Sequence, residues 1–323
     1  MKLFPLHLIP NGTRIDFMRL RWISLTIALL LALASVVSIA TKGFNFALDF
    51  TGGTLVELHF DKQPGVDAVR NTLEHAGFTD AQVQTYGSGN DLLVRTQAGA
   101  KGGSNADQVS AATAARVKQV LDQPGNPVTV RSSAFLSSQV GADLAKNAAM
   151  ALAFVVIGFL AYISFRYEWK FAVAAILATL HDVLVCAGYF SFTGREFDLT
   201  VLAGLLSVMG YSINDTIVVF DRVRENFRGM RADPIAVLNA SVNQTLSRTI
   251  ITSFVAFLTV LALYLYGGGS LQGMAISQMM GIIIGTMSSI FIACALLTIG
   301  PLKVTRQDLM PKARDEAALA RRP

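Results

Sequence analysis

The chain has 323 residues, 52% of them hydrophobic and 15% charged, with a mean hydropathy of +0.48. A soluble domain carries about a quarter charged residues, so this composition excludes a soluble globular enzyme and indicates an integral membrane protein. The formal net charge of +5 does not point to nucleic acid, because Lys and Arg sit beside apolar runs and form no separate basic domain.

Residues 1–21 carry Lys2, Arg14, Arg19 and Arg21 and lead into an apolar run at 22–40. A basic front and the Ser38-Ile39-Ala40 exit imitate a signal peptide. The run is longer than the roughly 7–15 residues of a signal core, which favours an uncleaved span. Segment 41–147 then reads as a folded α+β domain. Leu55–Phe60 alternates as a strand, and Val66–Gly77 reads as a helix closed by its glycine. Ala81–Tyr86 and Asp91–Thr96 read as strands around the turn Gly87-Ser88-Gly89-Asn90, and Gly99–Gly103 reads as a loop. Asn105–Gln123 reads as a second helix, broken by Pro124-Gly125-Asn126-Pro127 before a last strand, Val128–Leu136. The order β-α-β-β-α-β is the ferredoxin-like pattern.

Five further apolar runs follow, at 148–165, 171–192, 199–220, 249–266 and 274–299. At 1.5 Å per residue, about 20 residues cover a hydrocarbon core of roughly 30 Å. The fold class is therefore an α-helical membrane protein of six spans, with the α+β domain inserted after the first. Cys186 and Cys294 both lie within spans, with no Cys or His at ligand spacing, so neither a disulfide nor a zinc site is expected.

Basic residues fix the orientation. Besides the N-terminus, Arg166 and Lys170 follow span two. Arg222, Arg224, Arg228, Arg231 and Arg248 follow span four, and the tail 300–323 holds more. Short loops on the other side hold only Arg195. Both termini and the tail are expected in the cytoplasm, with the inserted domain outside. Asp233-Pro234 starts a helix whose Ile235, Leu238, Val242 and Leu246 make it amphipathic over about 234–247, expected at the inner membrane surface.

Polar groups inside the spans carry the functional signal. A carboxylate there is costly unless it is paired, hydrated or protonated. Gly204, Ser207, Tyr211 and Asp215 share one face of span four at spacing 3, 4, 4, with Asn214 adjoining and a Val and Ile face left for lipid. Asp215 is five residues from Phe220, about 7–8 Å below the boundary, so a hydrated helix-end carboxylate is the alternative to a working one. Arg248 opens span five on the same side. An Arg248–Asp215 pair would neutralise both charges, whereas Arg at a helix end also commonly snorkels to lipid phosphates. His181-Asp182 lies near the centre of span three, as a structural pair or a proton relay. Thr252, Ser253, Gln278 and Ser288 are candidates for hydrogen bonds between helices, and Gly281-x-x-x-Gly285 is a close-packing signal.

No Ser/His/Asp set, HExxH or phosphate loop stands in the sequence, and Gly267-Gly268-Gly269 lacks the Lys-Ser/Thr of a nucleotide loop. No cofactor is implied. An ion gradient is the expected energy source, worth about 2.3 kcal/mol per charge across 100 mV.

Three stretches together are specific. They are Ala47-Leu48-Asp49-Phe50-Thr51-Gly52-Gly53-Thr54-Leu55-Val56-Glu57, Ala178-Thr179-Leu180-His181-Asp182, and Gly210-Tyr211-Ser212-Ile213-Asn214-Asp215-Thr216-Ile217-Val218-Val219-Phe220 with its extension to Asn226. Through them the chain resembles the SecF subunits of the bacterial Sec protein-export machinery, in the SecD/SecF family of the RND transporter superfamily, over about residues 16–305. The resemblance implies an inner-membrane subunit that works with SecD on the SecYEG channel, with YajC and the translocating preprotein as further partners. It implies that proton flow drives the outer domains. Asp215 and Arg248 match residues implicated in proton passage, with Asn214, Asp182 and His181 around them. Asp49, Gly52, Gly53 and Glu57 match the motif after the first span. A half-size small-molecule efflux transporter and a passive scaffold of the channel are the competing readings.

Overall fold

The computed structural model describes residues 14–78, 81–86, 89–96, 106–136, 138–305 and 308. The Gly99–Gly103 loop, the Gly87-Ser88 half of the hairpin turn and the tail beyond 308 lie outside them. Among the described residues, six helices are long and apolar enough to cross a membrane. They are α1 (Arg21–Lys42), α5 (Ser138–Arg166), α6 (Trp169–Thr193), α7 (Leu199–Gly229), α8 (Pro234–Tyr266) and α9 (Gly269–Ser288). The last continues through a π-helical turn, Ser289–Ala293, into Cys294–Leu296.

The inserted domain follows the expected order closely: β2 (Gly53–Phe60), α3 (Val66–His75), β3 (Gln82–Tyr86), β4 (Asp91–Thr96), α4 (Ala106–Leu121) and β5 (Val128–Leu136). The strands lie in the order β3-β4-β2-β5, every neighbour antiparallel. One sheet face, with Val56, Leu58, Phe60, Leu92 and Val94, packs on Leu73 of α3 and Val117 of α4. The other face looks toward the ends of the spans. A small parallel sheet, β1 (Asn45–Phe46) with β6 (Glu196–Phe197), and a single turn of helix, α2 (Leu48–Thr51), join domain to bundle. We call this end of the bundle the domain side and the opposite end the terminal side.

Three elements differ from expectation. Helix α5 begins at Ser138 rather than 148, because Ser138–Asn147 forms a polar helical leg that leans on α2 before the apolar stretch starts. The helix expected at 234–247 does not lie separately at a surface. It runs without interruption into span five as α8, and its Val237, Leu238 and Val242 pack on Val223 and Phe227 of α7. Asn226 locks this hairpin by donating to Ser241 Oγ and Gln244 Oε1, both at 2.9 Å. An apolar stripe with a helix opposite it needs no lipid. The Val and Ile side of span four, expected to meet lipid, is also buried: Val208, Ile213 and Val219 are inside, and α7 touches α6, α8 and α9. Span four is thus the central helix.

Small residues let α9 approach it. A Cβ on Gly281 would stand 2.0 Å from Val208 Cγ2, and one on Gly204 would collide with Ser277 Oγ. Gly158 on α5 has open space around its Cβ position. Gly281→Val should therefore cost about 1–3 kcal/mol or more from overpacking, whereas Gly158→Ala should be neutral or mildly stabilising. Chemical denaturation in mixed micelles measures both.

Candidate functional site

Asp215 sits in the middle of α7, which runs nine residues past Phe220 to Gly229. It is 8% exposed, so it is not a hydrated helix-end residue. Two hydroxyls from two other helices reach it. Thr249 Oγ1 of α8 donates to Oδ1 at 2.8 Å, and Ser289 Oγ donates to Oδ2 at 2.5 Å. Ser289 is the first residue of the π-helical turn, a distortion often found where a helix serves a functional group. The Ser289 hydroxyl has a second acceptor, the Thr286 carbonyl, at 3.0 Å.

A hydroxyl chain extends one turn toward the domain side. Ser253 Oγ of α8 accepts from Tyr211 of α7 and from Thr286 of α9, each at 2.7 Å, and donates to the Thr249 carbonyl. Ser253 therefore links helices as its type suggested. Thr252 instead donates within its own helix, to the Arg248 carbonyl, and the buried Ser288 hydroxyl has no partner among the described residues.

A second carboxylate lies across α7. Asp182 of α6 is fully buried, accepting from Ser212 Oγ at 2.6 Å and contacting His181 Nδ1 at 3.0 Å. His181 Nε2 is buried without a partner among the described residues. Ser212 and Asp215 are three residues apart on one helix, so α7 carries one carboxylate and binds the other within a single turn.

Arg248 does not pair with Asp215. It is exposed, and no ion pair within 4 Å joins them. Successive helical residues are about 100° apart, so with Thr249 turned onto Asp215 its neighbour points elsewhere. Asn214 is exposed as well, on a strip of α7 with Ala203 and Ser207 exposed and Gly210 half-buried. The polar face read from spacing is therefore divided: Gly204 and Asp215 face inward, Ser207 and Asn214 outward. Thr249, Ser289 and Ser212 are the donors to the two carboxylates, and a reading by charge does not find them. The sequence signal for them is a run of hydroxyls, Thr286, Ser288 and Ser289, inside an otherwise apolar span.

The motif after span one stands apart from both carboxylates, at the junction. Asp49 Oδ2 accepts from the Leu199 amide at 3.2 Å. Gly52 and Gly53 hold φ of 73° and 137°, values that favour glycine, and lead from α2 into β2. Glu57 lies on the open sheet face, lining a cleft of about 710 Å³ between sheet and helix ends together with Arg95, Glu196 and Asp198. Arg95 pairs with Glu196. Burial holds the Arg95 guanidinium below its ordinary pKa, while the carboxylates of Asp49 and Asp198 act to raise it.

Comparisons with known proteins identify the family. The family described as protein export membrane protein SecD/SecF, C-terminal, matches residues 116–300, and the SecD/SecF GG motif matches residues 37–64. Protein translocase subunit SecF of Vibrio alginolyticus is 40% identical over 300 residues, covering 92% of each chain. The SecF of Pseudomonas aeruginosa is 42% identical over 303 residues, covering 93% of this chain and 96% of that one. The crystal structure of SecDF from Thermus thermophilus superposes with a TM-score of 0.78 at 36% identity, over 91% of this chain. This chain spans only 39% of that SecDF chain. A SecDF structure in a Super-membrane-facing form, at the same identity and coverage, gives 0.66.

Removing a donor from a buried carboxylate costs about 1.5–3 kcal/mol. Ser289→Ala should lose stability of that order in the native background and almost none in an Asp215→Leu background. Denaturation of the four chains of this double-mutant cycle measures the coupling.

Proposed function

The chain belongs to the SecD/SecF family of protein export membrane proteins, and from that premise we propose that it is a SecF-type subunit in which proton binding at Asp215 moves the inserted domain on a preprotein. The observation that carries this reading is the pair of acceptors around Ser289. With Asp215 ionised, Ser289 and Thr249 both donate to it. With a proton on Oδ2, the carboxyl donates to Ser289 Oγ, and the Ser289 hydroxyl turns to the Thr286 carbonyl. Neither state strands a buried polar atom, so the site accommodates both forms of the carboxyl.

Arg248 enters in the second half of the cycle. A turn of α8 by about one residue position, roughly 100°, would exchange Thr249 for Arg248 opposite Asp215. The guanidinium would then neutralise the ionised carboxylate after the proton leaves. The π-helical turn beside Ser289 gives α9 slack to follow. The two SecDF structures superpose on this chain to different degrees at equal identity and coverage, as expected of a fold that takes more than one conformation. His181, Asp182 and Ser212 form a second hydrogen-bonded group against the same helix, placed to respond when α7 shifts. Asn214 takes no part in the hydrogen bonding of either group.

The exposed strip Ala203, Ser207, Gly210 and Asn214 of α7 suits close packing of another helix, and we assign it to SecD. The fraction of the SecDF chain that this chain covers leaves room for that second half. The basic residues of the sequence flank the ends of the spans opposite the domain, and by the positive-inside rule we assign both termini to the cytoplasm and the domain to the outside, in the inner membrane of a bacterium. SecYEG and YajC are the further partners, a preprotein the substrate, and a proton gradient the energy source, with no nucleotide hydrolysed by this chain.

Asp215→Asn is the test. Reconstituted with SecD, this variant should keep its partner, while gradient-dependent preprotein release falls to the level seen without a gradient. Release equal to that of the native chain would leave a passive scaffold as the function.

A further inference from the structure

The Asp-Phe-x-Gly-Gly motif stands apart from both buried carboxylates, yet it lies where the inserted domain meets the helix that carries Asp215. The first amides of a helix have no acceptor within it. On α7, Asp198 satisfies the Val201 amide at 2.7 Å from next door in sequence. The Leu199 amide is satisfied from 150 residues away, by Asp49. That bond ties the start of α7 to α2. Beyond α2, Gly52 and Gly53 make a turn at positive φ, and Gly53 is already the first residue of β2, a central strand. The turn is backed by α5, where a Cβ on Gly141 would come within 2.8 Å of the Phe50 carbonyl oxygen.

A second tie runs beside the first. Arg95 of β4, register partner of Leu55 in β2, pairs with Glu196 of β6, and Gln84 of β3 donates to the same carboxylate. Strand β6 is held to β1 by the pairs Asn45–Glu196 and Phe46–Phe197, and the Ala47 amide donates to the Phe197 carbonyl. From Leu199 to Asp215 the chain is one unbroken helix, about 24 Å long at 1.5 Å per residue.

We infer that Asp49 is a coupling residue: its carboxylate on the Leu199 amide, beside the Arg95–Glu196 pair, makes the first turn of α7 and the sheet of the inserted domain move as one body. Displacement of α7 at Asp215 thereby reaches the domain through a short, hydrogen-bonded joint and not through flexible linkers. This rests on the proton-driven reading above.

The test uses the full chain with SecD and SecYEG in proteoliposomes, measuring proton flux and preprotein release in the same vesicles. Asp49→Ala should keep the proton flux that depends on Asp215 and lose gradient-dependent release. Asp49→Asn, whose side-chain oxygen still accepts from the Leu199 amide, should keep both. Native release by Asp49→Ala overturns the inference, and so does failure of Asp49→Asn alongside it, which would make the charge and not the cap decisive. Amide hydrogen exchange at Leu199 supplies an arm independent of activity. It should accelerate in Asp49→Ala and not in Asp49→Asn, and unchanged exchange in Asp49→Ala contradicts the joint. Equal proton flux in native and Asp215→Asn vesicles would remove the proton-driven reading instead, while the exchange arm still decides the tie.

Discussion

A carboxylate held 8% exposed among apolar helices must be given hydrogen-bond donors or a proton, and the bundle is organised around meeting that demand at Asp215. No cation does so. Thr249 and Ser289 supply neutral donors from α8 and α9, so three helices converge on one side chain. The close approach this needs comes from Gly204 and Gly281, where any Cβ would collide with the facing helix. The π-helical turn at Ser289–Ala293 fits the same demand, since an extra residue in the turn re-aims the side chains that follow it. Packing, helix distortion and hydroxyl placement therefore have one physical cause.

The choice of hydroxyls over a permanent Arg partner has a consequence. A buried ion pair is strongly destabilised by losing either partner's charge. A hydroxyl can donate to a carboxylate or accept from a carboxyl, so either form of the side chain leaves no polar atom of the cage stranded. Arg248, one residue from Thr249, is exposed and outside the cage, so it does not hold the site shut. The Asp49 tie at the far end of α7 then gives a local change somewhere to go, because it joins a rigid helix to a rigid sheet.

How legible this was follows from the range of each interaction. The β-α-β-β-α-β domain could be read because strand alternation and turn residues are local, and it matched to within a few residues at most ends. Asp215 could be read because a charge in an apolar run is visible by itself. Its partners could not. Thr249 lies 34 residues away and Ser289 74, and hydroxyls in membrane helices are common enough to carry little signal. Arg248, with the obvious charge, was the natural partner on paper, yet helix phase turns it away. Helix α8 was divided in two because Ser247, Arg248 and Thr249 look like a helix end at a membrane surface, although a polar stretch inside a protein hairpin has the same composition. The stretch of α5 from 138 to 147 escapes a reading by hydropathy for the related reason that Asp143 and Lys146 lie outside the apolar stretch that defines a span. The role of Asp49 was beyond local reading altogether, its acceptor bond being made to an amide 150 residues along the chain.

Everything proposed for this protein turns on Asp215 taking up and releasing a proton within its hydroxyl cage. Difference infrared spectroscopy of the reconstituted protein, with aspartate isotopically labelled, observes this directly through the carboxyl C=O stretch as pH is stepped. The account predicts a titrating carboxyl band that vanishes in Asp215→Asn and shifts in frequency in Ser289→Ala, where its hydrogen-bond partner is gone. A band that persists in Asp215→Asn, or the absence of any band titrating with Asp215 between pH extremes at which the protein stays folded, would contradict it.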